Sequence, residues 1–161
     1  MRERASKLDV LKISAVADYL LGRGAGRALL RGSEVEVVRS SKTGRVREVY
    51  VDGVLVATIR ASDGFLLPTV EGARKLLSSG VRVKVVVVSD DAAEFVARGR
   101  SVFAKHVVDA SPDIRAGDEV VVVNKRGEVL AVGRARLSGC EMVRAGRGVA
   151  VRVRKGAVEG A

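Results

Sequence analysis

Apolar residues recur along this chain with two periods, and the changes between them separate helical from extended segments. Leu8, Leu11, Ala15, Val16, Tyr19 and Leu20 fall at helical spacing and predict a helix over residues 8–21. Gly22-Arg23-Gly24-Ala25-Gly26 follows it. No strand precedes this cluster, and Arg27 stands where a dinucleotide fingerprint would place its third glycine. The cluster therefore reads as a helix stop and flexible turn. A β-meander comes next, with strands over 35–38, 46–51 and 54–59. Ser41-Lys42-Thr43-Gly44 forms the first turn and Asp52-Gly53 the second, a strong hairpin signal between apolar runs. Pro68-Thr69 opens a helix to about residue 79, with Thr69 as N-cap and Gly80 as its stop. Residues 81–85 alternate and then become wholly apolar through Val88, as a strand does that is half exposed and then buried.

The second half is mostly extended. A short helix over 91–98 has Asp91 and Glu94 near its start. Strands follow over 102–108, 119–124, 128–137 and 148–154, with Lys125-Arg126-Gly127 as a tight turn and a short helix near 140–144. This order closes naturally into a mixed pseudo-barrel, which removes exposed sheet edges. The fold class expected is α+β, with an N-terminal α+β domain over 1–79 and a β pseudo-barrel over 80–161. The boundary falls near residues 77–80, without a low-complexity linker or internal repeat.

Composition sharpens this picture. A chain of 161 residues accommodates one medium domain or two small ones. Hydrophobic residues make up 47% but aromatics only 3%, so the core must be built from Val, Leu, Ile and Ala, a mixture that favours strands. Lys and Arg total 29 against 19 Asp and Glu, a net charge of +10 that would attract a polyanion. Most of the cations are Arg, whose fork grips phosphate with two donors at once. Asn124 is the only side-chain amide, and such depletion alongside abundant charge fits a hot-growing organism. Cys140 is the only cysteine, which excludes an internal disulfide and a multi-cysteine zinc site and suits a reducing cytosol. The charged start Met1-Arg2-Glu3-Arg4 lacks a following apolar core, so no signal peptide and a cytoplasmic location are expected. Apolar runs such as 85–88 are too short to cross a bilayer.

Catalytic chemistry finds little support. His106 is the sole histidine, so no pair of imidazoles can share a metal, and no Gly-x-Ser-x-Gly elbow is present. Cys140 with His106 as its base is one arrangement; a half-buried structural thiol is the commoner one. Asp52, Asp63, Asp118 and Glu119 sit beside glycines or strand ends, where turn chemistry accounts for them. No catalytic residue, metal or cofactor is expected. The basic residues say more. Arg134 and Arg136 alternate along one strand, and Arg152 and Arg154 along another, so each strand presents two guanidinium groups on one face. If the strands are neighbours, four Arg cluster; ordinary solvated positions are the alternative, and periodicity does not separate the two. The segment Arg98-Gly99-Arg100-Ser101-Val102-Phe103-Ala104-Lys105-His106 joins a helix to a strand and combines cations, a glycine and an imidazole, a suitable grip for phosphate. Phe103 is either a platform for a splayed base or a core residue beside Val102, and the scarcity of aromatics favours the core.

The residues from Ser101 to Ala110, Ile114-Arg115-Ala116-Gly117-Asp118-Glu119-Val120 and Asn124 to Ala135 together resemble the PUA domain, a small RNA-binding pseudo-barrel. The likeness is to the version found in archaeal tRNA-guanine transglycosylases. The first half resembles the domain that precedes it there, through Ala17-Asp18-Tyr19, Gly24-Ala25-Gly26, Thr43-Gly44-Arg45-Val46-Arg47, Val51-Asp52-Gly53, Ala57-Thr58-Ile59-Arg60, Ser62-Asp63-Gly64 and Glu71-Gly72-Ala73. The resemblance implies RNA, and specifically the tRNA acceptor arm, as partner. By position, Gly99, Arg100, Phe103 and Lys105 belong to the loop that engages it. The catalytic barrel of those enzymes, with its aspartates and zinc ligands, has no counterpart here, so the resemblance implies a non-enzymatic module. A separate catalytic subunit of a tRNA-modifying enzyme is a further implied partner. A translation or ribosome-assembly factor is the other function it suggests.

Overall fold

Two separate hydrophobic cores form, one drawn from residues between Ile13 and Leu76 and the other from residues between Val86 and Val151. The chain divides accordingly between Val83 and Lys84 into two units, and the computed structural model describes residues 1–158.

The first unit runs β1 (Arg2–Arg4), α1 (Lys7–Leu21), α2 (Ala25–Leu29), β2 (Val35–Arg39), β3 (Val46–Val51), β4 (Val54–Ile59), β5 (Leu66–Pro68) and α3 (Val70–Ser78). Its sheet is antiparallel in the order β1-β2-β3-β4-β5. A capping box starts α1: Ser6 Oγ accepts from the Asp9 amide at 3.0 Å, and Asp9 accepts from the Ser6 amide at 2.9 Å. Ile13 and Ala17 carry the buried face of α1, whereas Leu8, Leu11, Ala15 and Tyr19 of the helical pattern point outward. The glycine cluster is not a flexible turn. Gly22 closes α1, but Gly24 opens α2, because Ala25, Ala28 and Leu29 find places in the core. Asp52-Gly53 turns the hairpin with φ of 50° and 82°, as a tight two-residue turn requires. Thr69 Oγ1 accepts from the Gly72 amide at 3.0 Å and so caps α3. Val81 and Val83 do not join a strand; they pack against this first core, and the expected strand shortens to Val85–Val88.

The second unit runs β6 (Val85–Val88), α4 (Asp90–Ala97), β7 (Val102–Phe103), a 3-10 turn (Ala104–His106), β8 (Val107–Ala110), β9 (Glu119–Val123), β10 (Val129–Ala135), α5 (Gly139–Arg144) and β11 (Val149–Gly156). Six strands form one sheet in the order β7-β11-β10-β9-β6-β8, with β6 parallel to β9 and the other pairs antiparallel. The single strand expected over 102–108 is broken in the middle. Val102 and Phe103 pair with β11, and the chain then turns at buried Ala104, whose amide donates to the Gly148 carbonyl at 2.8 Å. Beyond the turn, β8 pairs with β6 at the other end of the sheet. The 3-10 turn thus carries the chain between the two edges, leaving a nearly closed barrel. Asn124, the one buried polar side chain among the described residues, holds the β9–β10 turn: its Oδ1 accepts from the Arg126 and Glu128 amides at 3.0 Å each. No helix among the described residues is long and apolar enough to cross a membrane.

Candidate nucleic-acid interface

The loop singled out in the sequence is built by the end of α4. The Arg98 amide donates to Glu94 and Phe95 carbonyls, the Gly99 amide to the Val96 carbonyl at 2.9 Å, and the Arg100 amide to the Phe95 carbonyl at 3.1 Å. Gly99 adopts φ of 102°, which reverses the chain at the helix end and suits a residue without Cβ. The Gly99 and Arg100 amides are therefore occupied in closing the helix. The Arg98 guanidinium pairs with Glu94 at 2.8 Å along the helix surface.

Between α4 and the 3-10 turn lies a cleft of about 380 Å³, lined among others by Phe95, Arg100, Phe103, Lys105 and His106. Phe103 is 49% exposed, so it is not a core residue: in β7 the inward position belongs to Val102, at 1%, and its neighbour must point the other way. Phe95 is 55% exposed on α4. Two of the chain's three phenylalanines thus line one cleft at a cost in exposed apolar area, with Arg100 and Lys105 exposed beside them. Aromatic faces next to cations can stack a base and neutralise its phosphate. The His106 carbonyl accepts from the Ser89 amide at 2.9 Å, which ties the 3-10 turn to the start of α4.

The second basic group depends on strand order, and β10 and β11 are neighbours. Arg134 faces Arg152 directly across the ladder and has Glu119 of β9 on its other side. Arg154 forms an ion pair with Glu119. Arg136 lies just past the end of β10, its amide donating to the Ala150 carbonyl at 2.8 Å. Strand order brings Arg134 and Arg152 together and engages Arg154 with a carboxylate.

Phe95, Arg144 and Arg147 were not anticipated from the sequence. The signals available were an aromatic one turn before a helix end in an aromatic-poor chain, and the basic, glycine-rich run Arg144-Ala145-Gly146-Arg147-Gly148. Gly148 bonds to Ala104, so this exposed run flanks the 3-10 turn. Cys140 is exposed on α5 rather than half-buried. No group of three His, Cys, Asp or Glu among the described residues could hold a metal.

A nearly closed six-stranded barrel with this loop defines a PUA-type pseudo-barrel, and comparison with known proteins makes the assignment. The chain is a PUA-domain protein: residues 84–157 match the PUA domain, and residues 12–81 match the patch-forming domain C2 of tRNA-guanine transglycosylase. The tRNA-guanine(15) transglycosylase of Methanobrevibacter smithii is 44% identical over 154 residues, covering 95% of this chain and 23% of that protein. Its counterpart in Pyrococcus furiosus is 46% identical over 151 residues, covering 93% and 25%. The chain spans about a quarter of the length of these curated relatives. Among solved structures, a hypothetical protein of Pyrococcus horikoshii is 30% identical, with a TM-score of 0.79 over 99% of this chain and 96% of that one. A PUA domain from Aeropyrum pernix shares the fold at 22% identity, with a TM-score of 0.76 over 99% and 88%.

Proposed function

We propose that this protein binds structured RNA, foremost the acceptor arm of tRNA, through its PUA unit and without chemistry of its own. The observation that carries this reading is the cleft in which exposed Phe95 and Phe103 stand beside Arg100, Lys105 and His106. The two rings would hold an unpaired base while the cations take the adjoining phosphates. Arg134 and Arg152 add positive charge to the outer face of β10 and β11, Arg136 extends it, and Arg154 stands beside them in its ion pair with Glu119. Gly99 shapes the loop, and Arg98, paired with Glu94, lies at its rim. Crosslinking the protein to RNA in cells and sequencing the attached fragments tests the proposal. Enrichment of tRNA acceptor ends is expected; crosslinks spread over RNAs in proportion to their abundance would contradict it.

A second reading is favoured by the high identity to a quarter of the transglycosylase length. In it, the chain grips tRNA for a transglycosylase catalytic barrel carried elsewhere. Purified protein should then incorporate no labelled guanine or 7-deaza analogue into tRNA alone and should support incorporation when the catalytic chain is added. Incorporation without that chain, abolished by Cys140→Ala or His106→Ala, would overturn the binding-module reading.

A further inference from the structure

The first unit carries a cationic cleft that the PUA-based reading does not use. Gly24, with φ of 88°, turns the chain from α1 into α2, and the Gly26 amide donates to Asp18 Oδ1 at 2.8 Å. Gly26 lies so close to α1 that a Cβ on it would come within 2.2 Å of Ser14 Oγ. The backbone of Gly26 therefore packs directly on Ser14 of α1, backbone and side chain alike, which fixes α2 against α1. Ala25, Gly26, Ala28 and Leu29 face inward, which leaves Arg27 outward, and Arg23 and Arg31 are exposed before and after the helix.

Arg23, Arg27 and Arg31 share one cleft of about 490 Å³ with Ser79, Gly80 and Val81 from the end of α3. Its lining contains three guanidinium groups and no carboxylate. Among the described residues, none of the three guanidinium groups has an ion pair or a hydrogen bond, while the Arg31 carbonyl accepts from Lys75 Nζ at 2.6 Å. Other arginines of the same unit are neutralised: Arg39 by Glu3 and Asp9, Arg60 by Asp63, Arg74 by Glu71. Gathering three like charges around one cleft works against folding, although Arg23 and Arg27 also lie at the carboxyl ends of α1 and α2, where positive charge is favoured. The arrangement is accounted for if an anion completes it. Three long forks around one cleft suit a run of phosphates better than a single small anion. A Cβ on Gly24 or Gly80 would meet nothing within 4 Å, so the backbone there is open to an approaching strand.

We propose that the Arg23–Arg27–Arg31 cleft binds the phosphodiester backbone of RNA, which makes the N-terminal unit a second RNA-contacting element. The inference rests on the chain being an RNA-binding protein and adds a site in a unit to which no contact had been given. The three arginines act as phosphate ligands and do not read bases, so the contribution is independent of sequence.

The test measures tRNA affinity of the full chain against salt for the wild type, for Arg27→Ala/Arg31→Ala and for Lys7→Ala/Lys42→Ala. The last pair removes the same charge from exposed positions of the same unit. Losing two phosphate contacts should weaken binding about tenfold and flatten the log–log salt slope by about 1.5, with Lys7→Ala/Lys42→Ala near wild type. The melting temperature of Lys7→Ala/Lys42→Ala should be unchanged, and that of Arg27→Ala/Arg31→Ala unchanged or slightly raised, because like charges are removed from the cleft. Equal weakening by the two double variants would overturn the site in favour of diffuse charge, and unaltered binding by Arg27→Ala/Arg31→Ala would refute it. If the wild type itself ignores tRNA, the RNA-binding reading fails instead. A parallel titration with inorganic pyrophosphate, displaced by tRNA in the wild type, is expected. Tight pyrophosphate binding that tRNA leaves untouched would assign the cleft to a small ligand and reject the proposal.

Discussion

Arg134 and Arg152 stand directly opposite each other across the β10–β11 ladder, and both are exposed. Like charges opposed in a sheet destabilise it, and Glu119 on the other side of Arg134 offsets only part of this because it also pairs with Arg154. Arg152→Thr is expected to raise unfolding free energy by about 0.5 kcal/mol, while RNA binding weakens by about 1 kcal/mol through the lost phosphate contact. Denaturant unfolding and RNA titration of the same preparation check both signs. A variant that loses stability and binds RNA normally would assign the pair to the fold.

In the cleft, Arg100→Ala and Lys105→Ala should each weaken RNA binding by about 1 kcal/mol with melting temperature nearly unchanged, because exposed charges contribute little to folding. Phe103→Ala should reduce affinity by about 1–3 kcal/mol if the ring stacks on a base. Its half-exposed position predicts a stability loss well short of the roughly 3 kcal/mol that a buried Phe would show. Thermal melts beside affinity measurements separate the two roles.

How much of this was legible in the sequence varied with the physics of each element. The Asp52-Gly53 hairpin and the Thr69 cap were readable because each depends on local chemistry, a positive φ or an N-cap oxygen. The Arg134 and Arg152 faces followed from strand alternation, although their juxtaposition depended on strand order. β1 was not readable, since Arg2-Glu3-Arg4 has no apolar period and is held by its ladder to β2. The break after Phe103 was equally hidden. Nothing in Val102 to Val108 opposes a continuous strand, and the turn arises because the chain passes from β11 to β6. Composition favours an inward Phe103, but that argument concerns the average core and says nothing about which side of β7 faces it.

Gly99 offers a test of the loop's backbone. At φ of 102° a Cβ is strained, so Gly99→Ala should destabilise the second unit by about 1–3 kcal/mol. For a unit of this size that corresponds to a fall of at least about 4 °C in melting temperature. An unchanged melting curve would show that the helix end tolerates a different conformation.

Acid should loosen the second unit through Asp118. Burial opposes its ionisation, but hydrogen bonds from Lys84 Nζ at 2.7 Å and the Arg115 amide at 2.9 Å outweigh it and hold the pKa below the ordinary carboxylate value. A group depressed on folding stabilises fully above its unfolded pKa and loses that contribution as pH falls through the lower folded value. Stability measured by denaturant at descending pH should therefore decline below the ordinary carboxylate range. Asp118→Asn should be less stable at neutral pH and show a shallower decline. Parallel curves for the two proteins would contradict this role.

The central claim, that this is a phosphate-gripping RNA binder, is tested most directly by the affinity of the purified chain for tRNA between low and moderate salt. With about five phosphates neutralised, log affinity should fall against log salt with a slope of roughly −4, and tRNA should outcompete heparin of equal charge. A flat salt response, or equal binding of heparin and tRNA, would contradict the account.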